Sequence, residues 1–123
     1  MLNLVAVTLI VLGPDLLGPD VESNHDTMVT TWYGCRVLNG NTMASGEVFD
    51  MDDPTVAAHR DLPFGSKIIL RNPDNGRVLI VEIKDRGPWV RGRDLDISKA
   101  GARALGFLKQ GVARLEVIRK VTP

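Results

Sequence analysis

Lys67-Ile68-Ile69-Leu70-Arg71-Asn72-Pro73-Asp74-Asn75-Gly76-Arg77-Val78-Leu79-Ile80-Val81-Glu82-Ile83-Lys84-Asp85 is the stretch that decides the fold. Two apolar runs, over 67–71 and 77–84, flank a connector rich in Asn, Pro, Asp and Gly. The Asn75-Gly76 pair predicts a hairpin, since both residues tolerate positive φ. Neither run alternates cleanly between apolar and polar residues, as a strand with one wet face would. Strands buried on both faces need closure, and a closed sheet has no edge to protect. The pair therefore predicts a small β-barrel.

Working outward, Asp85 ends the second run, and the chain turns through Arg86-Gly87-Pro88-Trp89 to a second acid, Asp96. Ser98 is a suitable N-cap for a short helix over 99–105, with Gly106 as its stop. Residues 112–118 alternate and predict a further strand. Upstream, Val29-Thr30-Thr31-Trp32-Tyr33 is β-branched and aromatic and predicts a strand ending at Gly34. A long loop over 35–46 follows. Val48-Phe49 and Val56-Ala57-Ala58 are expected as short extended pieces, and Leu62-Pro63-Phe64-Gly65 as a turn. Trp32 is expected in the core if Tyr33 points the other way on the same strand.

The 123 residues are enough for one domain with a real core. Lys plus Arg number 15 and Asp plus Glu number 15, so the formal charge is zero. A nucleic-acid binder normally carries a basic excess, and none is expected here. Cys35 is the single cysteine, which excludes an internal disulfide and reads as a packing residue. Cys35, His25 and His59 lack metal-ligand spacing, so neither a metal nor another cofactor is expected. Residues 2–12 form an apolar run of signal-peptide length, without a preceding Lys or Arg and without an A-x-A-like site after it. Export through this segment is one reading; a short extra strand or a start assigned too early are the others. Residues 1–28 are expected to form this leader and a flexible linker, and 29–121 the folded domain.

Together the motifs resemble the RlpA-like (rare lipoprotein A) double-psi β-barrel family. Thr31-Trp32-Tyr33-Gly34, Thr42-Met43-Ala44-Ser45-Gly46-Glu47-Val48-Phe49-Asp50 and Ala57-Ala58-His59-Arg60-Asp61-Leu62-Pro63-Phe64-Gly65 occur in the family's order. Asn75-Gly76-Arg77, Asp85-Arg86-Gly87-Pro88, Asp94-Leu95-Asp96-Ile97-Ser98, Ala104-Leu105-Gly106 and Gly111-Val112-Ala113 complete it. The likeness covers roughly 29–120. It implies a mainly β fold, a small six-stranded double-psi β-barrel with one or two short helices, and a glycan-binding cleft. It also implies an exported, endolytic peptidoglycan lytic transglycosylase of the septal wall, working as a monomer on peptide-stripped glycan strands. No lipobox is seen, so no stable membrane anchor is expected, and no C-terminal peptidoglycan-binding repeat is seen either. Gly101 within the helix is a further departure, with a propensity cost of about 1 kcal/mol relative to Ala.

The resemblance carries catalytic roles onto Asp85, His59 and Glu47. Asp85, held at a strand end, is expected to protonate the leaving oxygen and then take the proton of the attacking hydroxyl. Glu47 is its expected acidic neighbour, or a ligand for sugar hydroxyls. His59 is expected to orient Asp85 or to donate to an N-acetyl oxygen; the plainer reading is a buried histidine fixing Leu62-Pro63. Asp96, Arg86, Trp89 and Tyr33 are expected to bind substrate, the aromatics as platforms for pyranose faces. Asp96 has the alternative of capping the helix or pairing with Arg86. Three other functions stay open: a non-catalytic, expansin-like glycan binder, a glycoside hydrolase using Asp85 and Asp96, and a partner-binding domain of an envelope or virion assembly.

Overall fold

A computed structural model describes residues 26–34 and 38–123; the apolar leader, the linker up to residue 25 and Cys35 lie outside them. Six strands are present: β1 Thr27–Tyr33, β2 Val56–Ala58, β3 Lys67–Arg71, β4 Val78–Asp85, β5 Leu95–Ser98 and β6 Val112–Val121. One helix, α1 (Lys99–Leu105), lies among the described residues. The strands close into a barrel in the order β1-β5-β2-β4-β3-β6. β1 with β5 and β2 with β4 are parallel pairs, and the other pairings are antiparallel.

The expected barrel, hairpin, helix and final strand are all present. Apolar side chains account for the closure: Ile68, Leu79, Ile83, Leu95, Ile97 and Leu115 are fully buried in one core. Trp32 packs against that core and its indole Nε1 donates to the Leu108 carbonyl (3.0 Å), as expected of a residue facing away from Tyr33.

The structure corrects several local expectations. β1 begins at Thr27, ahead of the expected Val29, because Thr27 and Met28 pair with Glu116 and Leu115 of β6 and Met28 enters the core. The linker expected up to residue 28 thus ends inside a strand. Val48-Phe49 is not a strand: only a bridge joins Thr42 to Val48, and Val48 is 64% exposed. Leu95–Ser98 is a strand, where the sequence suggested only the approach to a helix. In the β3–β4 turn only Gly76 takes positive φ (77°). Asn75 instead donates through Nδ2 to the Leu105 carbonyl (2.9 Å), as does Asn72 (2.8 Å), which ties the hairpin to the end of α1.

Gly101 also has a local reason. A Cβ there would stand 3.1 Å from the Pro54 carbonyl oxygen and 3.2 Å from Ile97 Cδ1. A side chain there fits only if the Pro54 carbonyl and the Ile97 side chain give by a few tenths of an ångström. Ser98 caps it by accepting from Gly101 N–H (3.0 Å) while donating to the Asp53 carbonyl (2.6 Å).

Candidate active site

Strand register assembles the site. Asp96 on β5 stands opposite Thr31 of β1 on one side and Ala58 of β2 on the other. Ala58 in turn stands beside Asp85 of β4. This last pairing depends on a bulge: Ala57 pairs with Ile83, and the next partner of β2 is Asp85 rather than Lys84. In a regular ladder Lys84 would stand beside Ala58; the extra residue re-aims the strand so that a carboxylate does. The two acids therefore flank a methyl group, with α-carbons about 10 Å apart, two strand spacings.

They open into a cleft of about 280 Å³ whose wall includes Tyr33, Met43, Phe49, Ala58, Asp85 and Asp96. Tyr33 lies on the same face of β1 as Thr31, two residues on. Its ring stacks on Phe49, with centroids 4.5 Å apart and planes 13° apart. That contact covers one face of a ring expected to serve as a sugar platform. Met43, Phe49 and Val56 form a second small core beneath it.

Asp85 is held by the main chain. Its Oδ1 accepts from Ala44 N–H and from its own neighbour Arg86 N–H, both at 2.9 Å. The loop carrying Ala44 is itself fastened to β4, since Ser45 N–H donates to the Lys84 carbonyl (3.1 Å). Asp96 accepts a hydrogen bond from the Thr31 hydroxyl. Burial raises the Asp96 carboxyl above the usual range, against the hydrogen bond from Thr31 and the charge of Arg93, and the charge of Asp85 adds to the rise. Burial likewise pushes the Tyr33 phenol up, and the negative charges of Asp85 and Asp96 push it further.

Of the residues expected from sequence, Asp85, Asp96, Tyr33 and Arg86 meet at the cleft. Arg86 is also a strut: its guanidinium donates to the carbonyls of His59 (3.1 Å) and Leu62 (2.8 Å) and lies 3.9 Å over the Phe64 ring. Glu47, His59 and Trp89 stand outside the cleft wall. Glu47 pairs with Lys84 (3.0 Å), so the carboxylate across from Asp85 is Asp96, not Glu47 as expected. Burial works against the charge of Lys84, but hydrogen bonding and attraction by Glu47, with Glu82 and Asp53, outweigh it and raise the amine.

His59 Nδ1 accepts from the N–H groups of Asp61 (3.0 Å) and Leu62 (3.1 Å), which is the plainer of its two expected contacts. Nδ1 is therefore unprotonated, and the ring proton sits on Nε2. Burial lowers the His59 imidazole; Asp61 opposes this, while Arg60, Lys120 and Arg86 reinforce it. Trp89 is 73% exposed on the loop beyond the cis Gly87–Pro88 peptide. Sequence reasoning missed Ala58, Thr31 and Phe49. Only Thr31 left a signal, sharing a strand face with Tyr33. No group of three or more His, Cys, Asp or Glu able to hold a metal occurs among the described residues.

A closed six-stranded barrel in the order β1-β5-β2-β4-β3-β6, with two parallel pairs among antiparallel ones, places this chain in the double-psi barrel class. The family profile described as lytic transglycolase matches residues 25–117, and the chain belongs to that RlpA-like family. Over 85 residues it is 52% identical to the probable endolytic peptidoglycan transglycosylase RlpA of Treponema pallidum (strain Nichols), covering 69% of this chain and 26% of that protein. Over 98 residues it is 41% identical to the endolytic peptidoglycan transglycosylase RlpA of Pseudomonas aeruginosa (strain UCBPP-PA14), covering 80% and 28% respectively. The chain thus spans about a quarter of the length of these curated relatives.

Two solved structures share the fold. Streptomyces papain inhibitor matches with a TM-score of 0.59 at 20% identity, over 79% of this chain and 96% of that one. A mutant expansin of Clavibacter michiganensis in complex with cellohexaose matches with a TM-score of 0.58 at 19% identity, over 78% and 50%. At such identities the likeness is one of fold alone.

Proposed function

We propose that this barrel is a peptidoglycan lytic transglycosylase domain. It cleaves the β-1,4 bond between MurNAc and GlcNAc in peptide-free glycan strands and leaves 1,6-anhydroMurNAc ends. The observation that carries the reading is Asp85, set by a bulge beside Ala58 at the cleft, with Oδ1 fixed by two backbone donors and Asp96 on the other side of the methyl. The transglycosylase names of the relatives support the same chemistry.

In this mechanism protonated Asp85 gives its proton to the glycosidic oxygen as the bond to the muramic C1 breaks. The ring oxygen supplies electron density to the resulting oxocarbenium-like centre. The muramic 6-hydroxyl attacks C1 and returns its proton to Asp85, so no water is consumed. Asp96 lines the opposite wall and, when ionised, stabilises the positive centre. His59 positions the 59–62 segment, to which Arg86 is also fastened, and Glu47 holds Lys84 at the bulge. Trp89 offers an exposed ring to a sugar further along the strand. Its substrate puts the domain in the cell envelope, where it acts as a monomer.

The row Asp85-Ala58-Asp96 favours one second reading, an acid–base pair that hydrolyses the same bond with water between the carboxyls. Mass spectrometry of peptide-free strands incubated with the full-length protein separates the cases, with Asp85→Asn as control. Asn keeps the Oδ1 acceptor for Ala44 and Arg86, so the variant folds. The expected products end in 1,6-anhydroMurNAc and are absent with Asp85→Asn. Reducing ends would establish the hydrolase, and uncut strands that co-sediment with the protein an expansin-like binder.

A further inference from the structure

Tyr33 is the single tyrosine of the chain. Its Oη is buried and closes no hydrogen bond of ordinary geometry with any described residue. A buried phenol normally finds a partner, and an orphaned one is costly. The surroundings show which partner is within reach. Tyr33, Asp85 and Asp96 line the same cleft, and the charges of both aspartates act on the phenol. Ring packing does not need the oxygen, because the stack on Phe49 uses only the face.

The two backbone donors to Asp85 both address Oδ1. Oδ2 takes neither, so it is the oxygen left to exchange a proton with substrate. We propose that Tyr33 is a positioning residue whose phenolic O–H donates to the Asp85 carboxylate as that carboxylate forms. This rests on the transglycosylase reading above.

In the first step the proton leaves Asp85 for the glycosidic oxygen, and negative charge grows on the carboxyl. A neutral donor beside that charge stabilises the transition state more than the ground state. In the second step the carboxylate recovers a proton from the 6-hydroxyl and the contact relaxes. Tyr33 keeps its own proton throughout, since burial, the charge of Asp85 once it forms and the charge of Asp96 hold the phenol neutral. No proton or electron is lost across the cycle.

Two measurements on the full-length protein test this. Tyr33→Phe removes only Oη and keeps the ring on Phe49, so the thermal midpoint should hold. We expect kcat to fall about tenfold to a hundredfold, the worth of one hydrogen bond to a charged group, with KM unchanged. Unchanged kcat would overturn the proposal. A raised KM at constant kcat would also overturn it, by making Tyr33 a sugar contact.

The second readout needs no activity. With one tyrosine, ultraviolet phenolate absorbance reports Tyr33 alone. Asp85→Asn should lower its ionisation midpoint, and by more than Asp96→Asn does. A midpoint indifferent to Asp85→Asn would show that the phenol does not address Asp85. Should the wild-type protein leave glycan strands uncut, the functional reading falls, and the titration still decides whether Tyr33 and Asp85 are joined.

Discussion

His59 is tied to the fold by Nδ1, and that contact has a pH dependence with a definite sign. Two backbone N–H groups point at this nitrogen, and only the unprotonated ring can accept them. Burial lowers its pKa below 6.5, so in the window under 6.5 the unfolded chain binds a proton that the folded chain refuses. Stability from this group is therefore complete above 6.5 and is lost as pH falls through the window. His59→Asn supplies an oxygen acceptor at the same place and does not titrate. Thermal midpoints measured against pH should decline below 6.5 in the wild type, and part of that decline should vanish in His59→Asn. Parallel curves would show that the Nδ1 contact carries no such energy. At this scale the sequence was informative about identity and silent about partners. Asp85 and Asp96 stood out because one ends an apolar run and the other closes the polar loop that follows it. Ala58 and Thr31 did not, since their place in the site comes from pairing with strands distant in the chain. Glu47 looked like the partner of Asp85, but the bulge brings Lys84 to it instead.

Elements were legible where their signals were local. The β3–β4 hairpin and α1 carry their own turn and cap residues, and the structure has them where the sequence put them. β5 was missed although Leu95 and Ile97 alternate with Asp96, because four residues are too few to outweigh the helix cap that follows. Its strand character comes from parallel pairing with β1 and antiparallel pairing with β2, neither of which a local pattern reveals. At Gly101 packing adds a second consideration to propensity. Propensity alone says Gly101→Ala should stabilise a helix by about 1 kcal/mol. A seven-residue helix, however, owes its stability to packing. Here the new methyl would press on the Pro54 carbonyl and the Ile97 side chain. Gly101→Ala is therefore expected to lower the urea midpoint, by about 1–3 kcal/mol in ΔG, the usual cost of overpacking. Arg103→Ala, on the exposed side of the same helix, should stay within about 0.5 kcal/mol. A Gly101→Ala protein more stable than wild type would show that the helix shifts to make room.

At the scale of the whole molecule, closure gives each strand two neighbours, and the cleft lies across the run β1-β5-β2-β4. The β3–β6 pair completes the ring without contributing a residue to the cleft wall. Stability and chemistry should then be separable by paired substitutions. Leu115 on β6 is fully buried and stands opposite Met28. Leu115→Ala should cost about 2–5 kcal/mol, a large share of a typical domain's stability. At a temperature where that variant is still folded, its kcat per folded molecule should match the wild type. Ala58→Val should do the reverse. Two extra methyls on this buried residue crowd the aspartates without opening a void, so the thermal midpoint should fall less than in Leu115→Ala. Glycan cleavage should drop at least tenfold, since misplacement by about 1 Å at a reacting centre is enough for such a loss. Denaturation and product assays on the two variants check both halves. If Leu115→Ala lowered kcat as sharply as Ala58→Val, the core packing of β6 and the site would be coupled, and the barrel would be part of the catalytic geometry rather than its frame.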